Sequence, residues 1–119
     1  MNDNIILMSE FSIRSGELSN FKALVKEIVD AIQVNEPNTL IYEIFISTDN
    51  KSCQFIEQYI DSAAVMTHVG NFREKFGERF WAFLEPKEFK VFGNPSDELK
   101  EAVSGIGAVI LLPIDGFAR

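Results

Sequence analysis

The chain has 119 residues, enough for one domain with a hydrophobic core and too few for two. Hydrophobic residues make up 46% of the chain and charged residues 24%, which is typical of a folded globular protein. The formal net charge of −7, without any local cluster of Lys and Arg, argues against a nucleic-acid partner because such a surface repels phosphate.

Three kinds of feature are disfavoured by the sequence: an internal disulfide, a zinc site and a nucleotide-binding glycine loop. Cys53 is the only cysteine and His68 the only histidine, so neither an internal disulfide nor a zinc site is expected. The glycines of SGIGA (104–108) follow a predicted helix, whereas a nucleotide-binding glycine loop precedes one. We therefore predict no metal and no organic cofactor.

The apolar stretches are short. None approaches the roughly 20 residues that cross a bilayer, so no membrane span is predicted. No basic leader precedes the first apolar run, so we expect no signal peptide. A cytoplasmic location is the simplest expectation.

The first third of the chain predicts a strand and then an amphipathic helix. Asn4–Ile13 (NIILMSEFSI) is apolar and then alternates, as strands do, and Arg14–Gly16 ends it. Apolar residues then recur every three or four positions, at Leu18, Phe21, Leu24, Val25, Ile28, Val29 and Ile32. This helix should end before Pro37, because proline disfavours helical conformation in the residue preceding it.

The middle of the chain predicts a hairpin followed by a second helix. Thr39–Ser47 and Ser52–Ile60 read as antiparallel strands joined at Asp49–Lys51. Asp61 or Ser62 is a suitable N-cap for the helix. The inner stripe of that helix is predicted at Ala64, Val65, Val69, Phe72, Phe76 and Phe80.

The last third predicts a strand, a short helix and an extended tail. Pro86 should close the preceding helical segment, and Lys87–Phe92 should form the fourth strand. Asn94–Pro95 should start the short helix, with proline at its first position, and Gly105 should end it. The tail AVILLPIDGFAR is apolar.

The order strand, helix, strand, strand, helix, strand predicts an α+β domain with the split βαβ arrangement of ferredoxin-like folds. Residues 1–119 form this one domain, with a core at 4–93 and a C-terminal extension at 94–119. Apolar residues occupy both faces of the second strand, as Tyr42 and Ile44 alternate with Ile41 and Phe45. A strand that is apolar on both faces needs two covers, so we expect a homodimer.

His68 lies about 40° from Ala64 and from Phe72 on a helical wheel, inside or at the edge of the apolar stripe. One interpretation is a core histidine with a single hydrogen-bond partner. The other is a proton donor or acceptor that lines a cavity between helix and sheet, because an imidazole can work as acid or base near neutral pH.

Other candidate residues lie on the predicted strands and at the end of the second helix. Glu57 and Tyr59 share one face of the third strand, where a carboxylate is costly unless it is paired or hydrated. Tyr42 could donate a hydrogen bond to an oxygenated ligand or be a core residue. Trp81 could be a packing anchor or part of a ligand platform.

The segment FIEQYIDSAAVMTHVGNF (55–72) resembles the most characteristic part of the antibiotic biosynthesis monooxygenase domain family. RSGELSNFKALV (14–25), NTLIYEIFIS (38–47) and VFGNPSDELKEAVSGIGAV (91–109) resemble other parts of it. The family's acidic-x-aromatic step, helix start and helix histidine correspond here to Glu57, Tyr59, Asp61, Ala64 and His68.

The resemblance implies a dimeric α/β barrel with a pocket between sheet and helices in each protomer. Family members include cofactor-independent oxygenases, haem-degrading enzymes and an isomerase-like enzyme, so the fold does not fix the reaction. Gln58 stands where the haem-degrading branch has tryptophan, and Ser9 and Glu10 stand near its asparagine position. The chain therefore does not match the haem-degrading pattern at these positions.

The function expected from the resemblance is cofactor-independent oxidation of a small aromatic, hydroquinone-like substrate by dioxygen. His68 would be the base, Glu57 and Tyr59 its orienting partners, and Phe72 and Phe76 walls of the pocket. Tyr42 and Trp81 are further candidates for substrate contact. The alternatives are a non-catalytic protein that binds a small apolar ligand, and an isomerase of a small carbonyl compound.

Overall fold

The structure, a computed structural model, describes residues 2–119. Its strands are β1 (Ile5–Ile13), β2 (Thr39–Ile46), β3 (Ser52–Tyr59), β4 (Leu84–Phe92) and β5 (Val109–Leu111). Its helices are α1 (Leu18–Asn35), α2 (Ser62–Lys75), α3 (Gly77–Phe83) and α4 (Asp97–Ser104).

The strands form one sheet in the order β2-β3-β1-β4-β5. The first four are mutually antiparallel, and β5 pairs in parallel with β4. This order confirms the predicted α+β, ferredoxin-like arrangement and adds a short fifth strand from the tail.

Side-chain alternation decides which residues face the helices. On β3 the inward residues are Cys53, Phe55, Glu57 and Tyr59, all buried, whereas Gln54 and its alternates point to the other face. Leu7 of β1 lies opposite Glu57 in the register. Strand alternation therefore places the polar side chain of Glu57 in the same buried layer as the core residues.

Helix α1 ends as predicted before Pro37. Phe21, Leu24, Ile28 and Ile32 are its buried residues. Its C-cap is Glu36, whose backbone N–H donates to the Ile32 carbonyl. The helix end thus fixes the position of the Glu36 side chain beside the sheet.

Helix α2 begins where the sequence predicts, because the Asp61 carboxylate accepts a hydrogen bond from the Ala64 N–H at 2.8 Å. The buried residues of α2 are Ala64, Val65 and His68. The sequence predicts one continuous helix here, and this prediction is wrong for its second half. The backbone leaves helical geometry at Phe76 (φ −127°, ψ −16°), and a separate helix, α3, starts at Gly77.

Two boundaries near the C-terminal end also differ from prediction. Pro86 lies inside β4 rather than before it. The β1–β4 register slips there, with Phe11 opposite Pro86 and Glu10 opposite Glu88, so Lys87 is an extra residue and proline is tolerated at the bulge.

Helix α4 starts two residues later than expected. Ser96 is its N-cap and accepts a hydrogen bond from the Leu99 N–H at 3.2 Å, so Pro95 precedes the cap instead of opening the helix. Gly105 is the C-cap, as predicted. Beyond β5, residues 112–119 contain neither helix nor strand.

No helix within residues 2–119 is both long and apolar enough to cross a membrane.

Candidate active site

A cavity of about 770 Å³ lies between the inner face of the sheet and the helices α2, α3 and α4. Its aromatic lining includes Tyr42, Phe55, Phe72, Phe80 and Trp81. Val103, Ile106 and Val109 of the C-terminal extension also border it. Its size is within the range of pockets that enclose drug-sized molecules, and the extension contributes to closing it.

The polar groups of the cavity fall into two sets. Arg73, Glu78, Lys87 and Glu88 are the charged residues of its exposed rim. Inside, Ser9, Glu57 and His68 border the cavity and are buried. The inner set places an imidazole and a carboxyl group on an otherwise apolar wall.

His68 is 6% exposed and is held by aromatic rings as well as by a hydrogen bond. Its ring centroid lies 5.4 Å from that of Tyr42 and 5.5 Å from those of Tyr59 and Phe72. Its Nδ1 is 3.0 Å from Oε1 of Glu36. The single histidine is therefore both fixed in orientation and in contact with the cavity.

Glu36 is the functional candidate that sequence reasoning missed. Its Oε1 accepts a hydrogen bond from the Thr39 hydroxyl at 3.1 Å in addition to the contact with His68. Burial raises the pKa of Glu36, but the hydrogen bonds and charge of His68 and the hydrogen bonds from Thr39 and Asn71 outweigh burial, so its pKa is lowered from 4.5. The ionised carboxylate can only accept, which makes Nδ1 of His68 the donor.

Glu57 has the opposite electrostatic character. Burial raises its pKa, and the attraction of His68 and a hydrogen bond from Tyr59 only partly offset that effect. The Tyr59 hydroxyl donates to Oε1 of Glu57. Burial also raises the pKa of Tyr59 far above its usual range, so this hydroxyl remains a donor.

His68 lies between the two carboxyl groups. Its Nε2 is 3.7 Å from Oε1 of Glu57, which is too long for a direct hydrogen bond but close enough for both groups to contact one substrate. We call Glu36, Glu57, Tyr59 and His68 the polar cluster. It combines a carboxyl group whose pKa is lowered with one whose pKa is raised.

The predicted site residues are not all at the cavity wall. His68, Glu57, Tyr42, Phe72 and Trp81 border it. Tyr59 is fully buried and reaches the cavity only through Glu57. Phe76 packs behind Phe72, with ring centroids 5.8 Å apart, and does not border the cavity.

Phe11, Phe80 and Ser9 also border the cavity, and sequence reasoning gave none of them a role there. Strand alternation places Ser9 and Phe11 on the inner face, a signal that could have found them. Within residues 2–119, no group of three or more His, Cys, Asp or Glu side chains is arranged to hold a metal ion.

Comparison with known proteins gives structural likeness only. No protein-family model matches the chain, and no curated protein sequence matches it. Several solved structures do. MupZ from Pseudomonas fluorescens has a TM-score of 0.86 and 23% identity, and the likeness covers 100% of this chain and 91% of MupZ.

Two other structures share the fold at lower similarity. A Caulobacter crescentus protein provisionally named as an antibiotic biosynthesis monooxygenase has a TM-score of 0.68 and 17% identity, over 76% of this chain and 88% of its own. SnoaB from Streptomyces nogalater is described as a cofactor-independent oxygenase and was solved in mutant form. It has a TM-score of 0.66 and 13% identity, over 79% of this chain and 95% of SnoaB.

The fold and site define a ferredoxin-like α+β protein with a histidine–carboxylate cluster at an apolar cavity. More particularly, the chain has the fold of the antibiotic biosynthesis monooxygenase type, as the sequence resemblance predicts. Its likeness to MupZ extends over the whole chain, including the C-terminal extension that borders the cavity.

Proposed function

We propose that this protein is a cofactor-independent monooxygenase that oxidises an aromatic, hydroquinone-like phenol with dioxygen. His68 takes the phenolic proton, and the resulting electron-rich anion transfers an electron to dioxygen. For a phenol with a free ring C–H, the overall change is phenol plus O₂ to quinone plus water. One oxygen atom enters the quinone and the other leaves in water, so the substrate supplies all four electrons.

The observation that carries this proposal is the 3.0 Å contact between His68 Nδ1 and Glu36 Oε1 beside the cavity. A neutral imidazole has one donor and one acceptor nitrogen. Because the Glu36 carboxylate fixes the proton on Nδ1, the acceptor is Nε2. The pair thus has the arrangement of a general base and a carboxylate that orients it.

The lining of the cavity supports a substrate with more than one ring. A cavity of about 770 Å³ lies in the upper part of the range found for drug-sized ligands, well beyond the needs of a single-ring phenol. Its aromatic walls would exclude water from a radical or peroxide intermediate. Tyr42, whose ring lies next to His68, could hydrogen-bond a substrate oxygen.

The test is oxygen consumption with a panel of quinols and anthrone-like phenols. We expect His68→Ala and His68→Gln to lower the catalysed rate at least about 100-fold, the contribution of a positioned base. Glu74→Gln, an exposed change on the same helix, is the matched control and should keep the wild-type rate.

Activity that survives both His68 substitutions would remove His68 as the base. If no phenol in the panel consumes oxygen above the uncatalysed rate, the monooxygenase proposal fails. The protein would then be better described as one that binds an apolar ligand.

We further propose that the working form is a homodimer packed through the outer sheet face. Ile41 and Phe45 alternate outward on β2, since Ile44 pairs with inward-facing Phe55, and they are 37% and 52% exposed. A second copy would remove these side chains from water. Sedimentation should give a dimer, and Phe45→Glu should shift it to monomer; a monomeric wild type at micromolar concentration would contradict the proposal.

A further inference from the structure

Glu57 is a buried carboxyl group on the cavity wall to which the oxidation proposed above assigns no step. It is 6% exposed and lies on β3 between Leu7 of β1 and Tyr42 of β2. Within residues 2–119 its contacts include no lysine or arginine ion pair, and His68 is its one basic neighbour. A charged carboxylate at such a position is costly, and burial accordingly raises the pKa of Glu57, which favours the neutral acid.

Tyr59 decides which oxygen of Glu57 can carry the proton. The Tyr59 hydroxyl donates to Oε1, so that oxygen acts as an acceptor. The proton of the neutral acid therefore belongs on Oε2. In this state Glu57, which borders the cavity, is a carboxylic acid able to donate from Oε2.

His68 completes a pair with complementary proton states. Glu36 holds the proton on Nδ1, which leaves Nε2 of His68 as a base. This nitrogen is 3.7 Å from Glu57 Oε1, and both residues border the cavity. A base and an acid side by side on one cavity wall can reach the carbonyl oxygen and the α-carbon of one substrate, which lie two bonds apart.

We propose that His68 and Glu57 together catalyse the oxygen-independent tautomerisation of an apolar ring ketone to its enol. The inference deepens the proposed function, since it keeps His68 as the base and assigns Glu57 as the acid. Where the ring becomes aromatic, the enol is a phenol. The same cavity would then form, from its ketone tautomer, the phenol that it oxidises.

The step balances without an oxidant or reductant. Nε2 of His68 takes a proton from the carbon next to the carbonyl, and the electron pair of that C–H bond forms the C=C bond. The carbonyl π pair takes the proton from Oε2 of Glu57 and becomes the enol O–H. The site is left with an imidazolium and a carboxylate, and loss of one proton from Nε2 to water with uptake of one by Glu57 restores it.

The experiment uses anaerobic deuterium exchange. 2-Tetralone is incubated with the protein in D₂O buffer without oxygen, and loss of the signals of the protons next to the carbonyl is followed by ¹H NMR. We expect exchange well above the buffer rate with wild type and at least about a 100-fold decrease with His68→Gln and with Glu57→Gln. Glu74→Gln should exchange at the wild-type rate.

A folded Glu57→Gln protein that exchanges as fast as wild type would overturn the role of Glu57. If that variant does not fold, the pH profile of the wild type decides instead. Exchange should decrease as pH rises and Glu57 loses its proton; exchange that rises throughout with pH would contradict an acid at this position.

The outcome separates this inference from the proposed oxidation. Oxygen uptake with phenols but no anaerobic exchange would reject the tautomerisation and leave the oxidation standing. Exchange without oxygen uptake by any phenol would support the acid–base pair and reject the oxidation. Neither activity would reject both.

Discussion

Two neighbouring regions of the inner sheet face differ in what surrounds their side chains, although one strand supplies both. Phe55 of β3 contacts the rings of Phe11, Phe21 and Phe80 in an aromatic cluster that forms part of the cavity wall. Glu57, two residues further along the same face, lies instead in the polar cluster with His68. Strand alternation places both side chains on the inner face of the sheet.

The difference shows what each region contributes. Edge-to-face rings in the aromatic cluster add stability because they bury large apolar surfaces and leave no polar atom unpaired. The polar cluster places two carboxyl groups and an imidazole out of water, which costs free energy that hydrogen bonds only partly return. We infer that the aromatic cluster stabilises the fold and that the polar cluster is kept for chemistry.

The largest effect that tests this contrast is on stability. Phe55→Ala should lower the free energy of unfolding by about 3–5 kcal/mol, because Phe55 is 2% exposed and its removal leaves a cavity among the rings. Glu57→Gln, of nearly unchanged shape, should cost much less. Urea denaturation of both variants checks this, and equal losses at the two positions would contradict the contrast.

A smaller effect should distinguish Glu36 from Glu57: their contributions to the free energy of unfolding should depend on pH in opposite directions. Because the pKa of Glu36 is lower in the folded protein than its ordinary value of 4.5, its stabilising contribution is present above that value and lost as pH falls through the folded pKa. Because the pKa of Glu57 is raised from 4.5, its contribution is present below 4.5 and lost as pH rises through the folded pKa.

Urea denaturation of wild type, Glu36→Gln and Glu57→Gln over a range from about pH 3 to about pH 8 measures these contributions. At neutral pH, Glu36→Gln should lose about 1–3 kcal/mol with its charge-assisted hydrogen bonds. That deficit should shrink in acid, whereas the difference between wild type and Glu57→Gln should change above pH 4.5. Parallel curves for all three proteins would show that the two carboxyl groups do not titrate differently.

The sequence was informative where the determinants of structure are local. Strand alternation placed Glu57 and Tyr59 on one face, and helical periodicity placed His68 near the apolar stripe. The Asp61 cap fixed the start of α2 and hence the direction in which His68 points. Three members of the polar cluster were therefore predictable as neighbours.

Glu36 was not predictable because its role depends on packing between distant segments. It is 32 positions from His68 in the chain, and an acidic residue before Pro37 at a helix end is usually solvated. Only the tertiary fold, which places the residue after α1 beside His68 of α2, brings the two together. Pro86 was misplaced for a similar reason, since its tolerance in β4 depends on a bulge opposite β1.

The tautomer of His68 tests the central claim most directly. The chain has one histidine, so labelling histidine with ¹⁵N gives a single pair of ring-nitrogen signals in NMR. At neutral pH we expect a protonated Nδ1 and an unprotonated Nε2 in wild type, and loss of this preference in Glu36→Ala. A proton on Nε2 in the wild-type protein would prevent that nitrogen from acting as the base and would contradict the account.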